Sequence, residues 1–163
     1  MRDFFEREVN NMSNRYKCRN YKSAVQFYNQ GTQAIENTDL VANPIILALG
    51  TRVTDTGVAI DFNSFDVGVE NSGLYRISVA LDVLGVTAGD VTFAIALNGQ
   101  ILPETISTIS AVAGISELVS FETIRVINTC CVNNDFNFSI VAYSDGTGEA
   151  TVERLSGNAL KLA

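Results

Sequence analysis

Residues 73–84 read GLYRISVALDVL, and their pattern is strict alternation. Successive side chains of an extended strand point to opposite faces, so Tyr75, Ile77, Val79, Leu81 and Val83 share one side and Arg76, Ser78, Ala80 and Asp82 the other. That is an antiparallel strand with one face in a core. Residues 91–97 repeat the pattern, with Val91, Phe93, Ile95 and Leu97 against Thr92, Ala94 and Ala96, and stop at Asn98-Gly99. Asn-Gly marks a hairpin because both central positions of a type I′ turn need positive φ. Working outward, residues 41–49, 58–62, 65–70, 115–127, 136–143, 151–154 and 160–162 also read as strands. Between them lie turn residues such as Asn71-Ser72-Gly73, Ala88-Gly89-Asp90 and Asn133-Asn134-Asp135. Asp145-Gly146-Thr147-Gly148 has the glycine content of an anion-binding loop, but no helix pattern follows it, so a hairpin is expected there. Beyond the first dozen residues no stretch sustains a helical period, and Pro44 and Pro103 fall at strand limits. The expected fold is all-β, an antiparallel two-sheet jelly-roll sandwich of about ten strands.

A chain of 163 residues is one domain's worth. Its 11 Lys and Arg against 18 Asp and Glu give a net charge of −7, which argues against nucleic acid or an anionic membrane as partner. There is no histidine, so Ser-His-Asp and Cys-His nucleophiles and imidazole metal sites are excluded. Asp61, Asp66, Asp82, Asp90, Asp135, Asp145 and Glu149 are candidate calcium ligands or paired glycosidase carboxylates. Most fall in turns or on polar strand faces, where solvation explains them. No catalytic residue, metal site or cofactor is therefore expected, and no enzyme. No apolar run has the length of a signal peptide or a membrane span, so a soluble chain not exported by the usual route is expected. Residues 6–11 are codable by a purine-rich stretch like a bacterial ribosome-binding site, which makes Met12 a candidate start and residues 1–11 a candidate untranslated leader. A short charged helical tail is the other reading of that segment.

Charge divides the chain. Residues 1–34 hold six of the eleven basic side chains and three acids, and the remainder holds five basic and fifteen acidic ones, a net of −10. Residues 1–34 are therefore expected to be a basic, Asn- and Tyr-rich arm, with the jelly roll over 35–163. The stretch from Ser13 to Asn29 has little periodicity, which fits an arm ordered by docking, through Arg15, Lys17, Cys18, Arg19 and Lys22. A solvated tail and packing on a neighbouring copy are the alternatives.

Residues 115–127 carry Val119, Phe121 and Ile127 on one face and Leu118, Ile124 and Val126 on the other. The strand from Phe136 opposes Phe136, Phe138 and Ile140 to Val141 and Tyr143. A strand apolar on both faces in a two-layer protein needs a second surface to lie against. A homo-oligomer supplies it, and a loop folded over that face is the alternative. Cys130 and Cys131 are adjacent, so at most one of them joins any one cluster. Small buried packing residues and a ring of three thiols about a three-fold axis are the two readings of that pair.

Gly73-Leu74-Tyr75, Asn98-Gly99, Cys130-Cys131 before FNFSIV, and Leu160-Lys161-Leu162, in that order, resemble the trimeric jelly rolls of the tumour necrosis factor and complement globular-head superfamily. The resemblance is to the version found in phage virion proteins. It implies a homotrimer whose interface includes Leu118, Ile124, Val126, Cys130, Cys131, Val141 and Tyr143. It further implies a head fibre or capsid decoration protein, held to a capsid or other virion protein by the arm, assembled in the bacterial cytoplasm and released by lysis. A tail or baseplate receptor-binding tip, or a bacterial surface adhesin, with host glycan bound near Asn98-Gly99 or Asp145-Gly146, is the alternative.

Overall fold

The computed structural model describes residues 23–56, 60–69, 72–128 and 136–163. Among these, thirteen strands follow one another: β1 Ala24–Asn29, β2 Gln33–Ile35, β3 Ile45–Ile46, β4 Thr51–Thr56, β5 Ile60–Phe62, β6 Asp66–Val69, β7 Gly73–Thr87, β8 Gly89–Leu97, β9 Gln100–Ile101, β10 Ser107–Ala111, β11 Ser116–Ile127, β12 Phe136–Ser144 and β13 Glu149–Lys161. A 3-10 turn, Pro103–Thr105, is the only helical piece among the described residues. Two antiparallel sheets result. The first runs β11-β7-β13-β1-β4 with β2 on β13, and the second β10-β8-β12-β6-β5 with β3 on β12 and β9 on β8.

The alternation in β7 orders the first sheet. Tyr75, Ile77, Val79, Leu81 and Val83 are each exposed by 3% or less and meet Phe27, Phe93, Phe138 and Ile140 in one continuous core. On its two edges β7 pairs with β11, from Leu84↔Ser116 to Gly73↔Ile127, and with β13, from Thr87↔Glu149 to Tyr75↔Lys161. The Asn98-Gly99 hairpin forms as expected, with φ of 50° and 79° and Leu97 opposite Gln100.

Several elements depart from the sequence expectation. Residues 24–29, expected in the arm, form β1 between β13 and β4, because Val25 and Phe27 alternate inward as regularly as any core strand. The runs expected at 151–154 and 160–162 belong to one strand, which ends at Lys161 and is interrupted by a bulge between Val152 and Arg154 that restores Leu155 to the core. The Asp145–Gly148 segment is not a hairpin, since it carries the chain from β12 in the second sheet to β13 in the first. It packs on the β7–β8 crossing so closely that a Cβ on Gly89 would lie 2.2 Å from the Gly148 nitrogen.

The pairing fixes two ends. The crossings at residues 87–89, 111–116 and 144–149 gather at one, here the crossing end. Ser23, Gly73, Ile127, Phe136 and the Asn98-Gly99 tip lie at the other, the entry end, where the chain leads into β1. Asn98-Gly99 and Asp145-Gly146 are thus at opposite ends. Among the described residues no helix is long and apolar enough to cross a membrane.

Gly157 shows how tightly the first sheet is packed. A Cβ there would meet the Phe27 ring Cζ at 2.4 Å and the Ser78 carbonyl oxygen at 2.8 Å. Gly157→Ala is therefore expected to cost about 1–3 kcal/mol, seen as a lower urea midpoint with an unchanged m-value.

Candidate self-association face

The outward side chains of the first sheet line up in rows across β11, β7, β13 and β1. From the entry end these are Val126–Leu74, Ile124–Arg76–Leu160–Ala24, Glu122–Ser78–Asn158–Gln26, Ser120–Ala80–Ser156–Tyr28 and Leu118–Asp82–Arg154. Three of the side chains that β11 contributes are aliphatic and lie open: Leu118 is 73% exposed, Ile124 53% and Val126 77%. Between them the face dips into a shallow trough lined by Gln26, Tyr28, Ser78, Ala80, Ser120 and Ser156. Its middle is small because β7 and β13 present Ser, Ala and Asn there.

The charges on these rows cancel locally. Arg76 donates to the Glu122 carboxylate from Nε at 2.9 Å and Nη2 at 2.6 Å, and Arg154 pairs with Asp82. No other charged side chain stands in the rows. Residues 35–163 as a whole carry a net charge of −10, so this face is neutral on an acidic body. Sequence reasoning missed both pairs, because Arg76 and Glu122, or Asp82 and Arg154, become neighbours only once the register of three strands is known.

The other expected interface residues stand elsewhere. Val141 is 3% exposed on the outer side of the second sheet, covered within one chain by Ala94, Ala96 and Ile101, so it has little surface to offer a partner. Tyr143, half-buried, lies on that same side opposite Thr92. The two expected patches thus occupy opposite outer faces of the sandwich. Cys130 and Cys131, and the arm residues Arg15, Lys17, Cys18, Arg19 and Lys22, lie outside the described residues.

Of the acidic candidates, Asp135 lies outside the described residues, and the others have local partners. Asp145 Oδ1 accepts from Thr147 N at 2.8 Å, Thr147 Oγ1 at 2.7 Å and Gly148 N at 3.1 Å. The Thr147 hydroxyl and then these backbone N–H groups hold its carboxyl well below the usual range. Asp90 accepts from Ser110, Glu149 from Thr87, Asp66 from Asn63 and Asp61 from the Phe62 N–H. Among the described residues no three Asp, Glu or Cys side chains gather to hold a metal ion.

One carboxylate joins the two layers. Glu104, in the 3-10 turn of Pro103–Thr105, accepts from Thr123 Oγ1 at 3.2 Å and pairs with Arg125, both on β11. Its carboxyl is held below the usual range first by its own backbone N–H and then, against a desolvation that raises it, by the Thr123 hydroxyl and Arg125. This contact closes the sandwich along the edge that β11 forms.

No known family pattern matches the sequence, and no curated protein does. Solved structures match over nearly the whole described chain. PRD1 vertex protein P5 is 17% identical with a TM-score of 0.55, over 86% of this chain and 97% of that one. The globular domain of a zebrafish complement 1qA protein is 8% identical at a TM-score of 0.57, over 86% and 97%. Murine APRIL is 14% identical at 0.56, over 87% and 100%. The fold is a TNF/C1q-like jelly roll. Within this jelly roll the exposed rows lie on the sheet that carries both the first strand, β1, and the last, β13.

Glu104→Gln is expected to lower stability by about 0.5 kcal/mol, a small value because Glu104 and Arg125 side chains are 44% and 40% exposed. A lowered carboxyl stabilises the fold above the pH at which the unfolded side chain ionises, and that contribution disappears as pH falls through the folded value. Urea titrations at neutral pH should separate the two proteins, and titrations acidic enough to protonate Glu104 should bring them together.

Proposed function

We propose that this protein is a non-enzymatic structural component of a phage particle, a homotrimeric head fibre or capsid decoration protein. The observation that carries this is the likeness to PRD1 vertex protein P5, a phage virion protein, along 97% of that chain. The likeness to a complement 1qA globular domain and to APRIL supports the same fold, and the resemblance of the sequence to trimeric jelly rolls supports the homotrimer. Leu118, Ile124 and Val126 form the apolar part of the interface between copies, on a face where paired charges leave no net repulsion. Three copies joined there would cover the outer face of β11, a long edge strand of the kind that proteins rarely leave bare.

The basic arm, with Arg15, Lys17, Cys18, Arg19 and Lys22, grips a capsid or other virion protein with an acidic surface. The chain leads into β1 at the entry end, so that end faces the particle and the crossing end, with Asp145-Gly146, faces outward. The protein is assembled in the host cytoplasm and released with the virion by lysis.

Removal of residues 1–22 is expected to abolish co-sedimentation with purified particles while the oligomer persists. Continued decoration by the shortened protein would refute the role of the arm. Leu118→Lys combined with Val126→Lys is expected to reduce the sedimenting mass to that of one chain with an unchanged far-ultraviolet circular dichroism spectrum. An oligomer unaffected by both lysines would place the interface elsewhere.

A further inference from the structure

The sequence holds a single asparagine followed by glycine, Asn98-Gly99, at the tip of the β8–β9 hairpin. Both residues are exposed, and among the described residues nothing lies within 4 Å of the point where a Gly99 Cβ would sit. Asn98 Oδ1 accepts a hydrogen bond from the Asn137 backbone N–H at 2.8 Å, and the Asn98 N–H donates to the Asn137 carbonyl at 2.9 Å. Neither the Gly99 N–H nor the Asn98 side-chain nitrogen takes part in any hydrogen bond of the described structure.

Those contacts sort the groups by chemical role. The Gly99 nitrogen is an unengaged nucleophile one residue from the Asn98 side-chain carbonyl, with no side chain of its own to hinder approach. The carbonyl oxygen is gripped by a fixed N–H donor, which polarises Cγ and stabilises the negative charge that oxygen gains when Cγ is attacked. The leaving nitrogen has no hydrogen-bond partner among the described residues and belongs to an exposed residue, so water can supply its proton.

We propose that Asn98 is a covalent modification site, closing on Gly99 to a succinimide with Asn137 N–H as the oxyanion donor. The Gly99 nitrogen gives its proton to water and bonds to Asn98 Cγ, the Cγ–Nδ2 bond breaks, and Nδ2 leaves as ammonia after taking a proton from water. A water molecule then adds across one of the two imide carbonyls and opens the ring to aspartate or isoaspartate. No electron transfer is involved. Either product adds a negative charge, and isoaspartate also adds a methylene to the backbone of a two-residue turn that has no room for it. The Asn98–Asn137 clamp is then lost at the start of β12, at the entry end, while the outer rows of the first sheet are untouched.

The other turn of similar sequence serves as an internal control. At Asp145-Gly146 the glycine N–H is engaged by Ser144 Oγ at 3.0 Å, and Asp145 Oδ1 is held by Thr147 and Gly148 as part of an ionised carboxylate, a poor electrophile.

The test is peptide mapping of the full chain during incubation at mildly alkaline pH, folded and in urea, with enzymatic isoaspartate methylation as a second readout. Conversion at Asn98 is expected to outpace every other asparagine, and to run on the order of tenfold faster in the folded chain than in urea, a modest gain for one donor in an exposed site. Asn137→Pro, which removes the donor N–H, should bring the rate down to the urea value. If that variant does not fold, the folded-to-urea ratio of the unaltered chain decides alone. Conversion no faster in the folded protein than in urea, or faster at another asparagine or at Asp145, would overturn the proposal.

Discussion

Strand β7 is hydrogen-bonded along both edges, to β11 on one side and β13 on the other, and this double pairing fixes which side chains can face outward. A slip of one residue would carry Arg76 and Asp82 into the core and Tyr75, Ile77 and Val79 to the surface, so the register has a single solution. Once β7 is set, β11 has no choice. Val119 and Ile127 go to the core with β7's inward side chains, and Leu118, Ile124 and Val126 must stand outside.

In the proposed trimer those exposed side chains are covered by neighbouring copies. Fully burying each is worth about 1.5–3 kcal/mol, and an edge strand that leaves them open invites promiscuous contact. The body's acidity opposes contact between copies almost everywhere, but Arg76–Glu122 and Asp82–Arg154 neutralise the rows that hold the aliphatic groups. Pairing inside one chain also means that neither charge depends on a partner copy for its counterion. This contrast between a neutral, aliphatic face and an acidic remainder is the physical basis of the proposed contact between copies.

Much of this was legible in the sequence, for reasons that differ by element. Long strands with one wet face, such as β7, announce themselves by alternation, and the two-sided apolar pattern of residues 115–127 already singled out Leu118, Ile124 and Val126. Strand β1 was hidden by the basic, Asn- and Tyr-rich stretch before it, although Val25 and Phe27 carry the same period. Strand β4, TRVTDT, is a polar edge strand, and β10, STISA, has Ile109 as its one large apolar side chain, so neither shows an apolar stripe. Ser156-Gly157-Asn158 has the composition of a turn, so β13 read as two short strands on either side of it. The Asp145-Gly146 turn looks locally like a hairpin, and only the sheet assignment of β12 and β13 shows that it crosses between layers. Val141 pointed to a partner surface because its outward face is apolar, yet Ala94, Ala96 and Ile101 of the same chain already cover it.

The central claim, that copies of this chain join through the outer face of the first sheet, is tested most directly by sedimentation equilibrium of the purified full chain at micromolar concentration in moderate salt. A single species with three times the chain mass of 17.6 kDa is expected. A stable species of one chain mass across that range would contradict it.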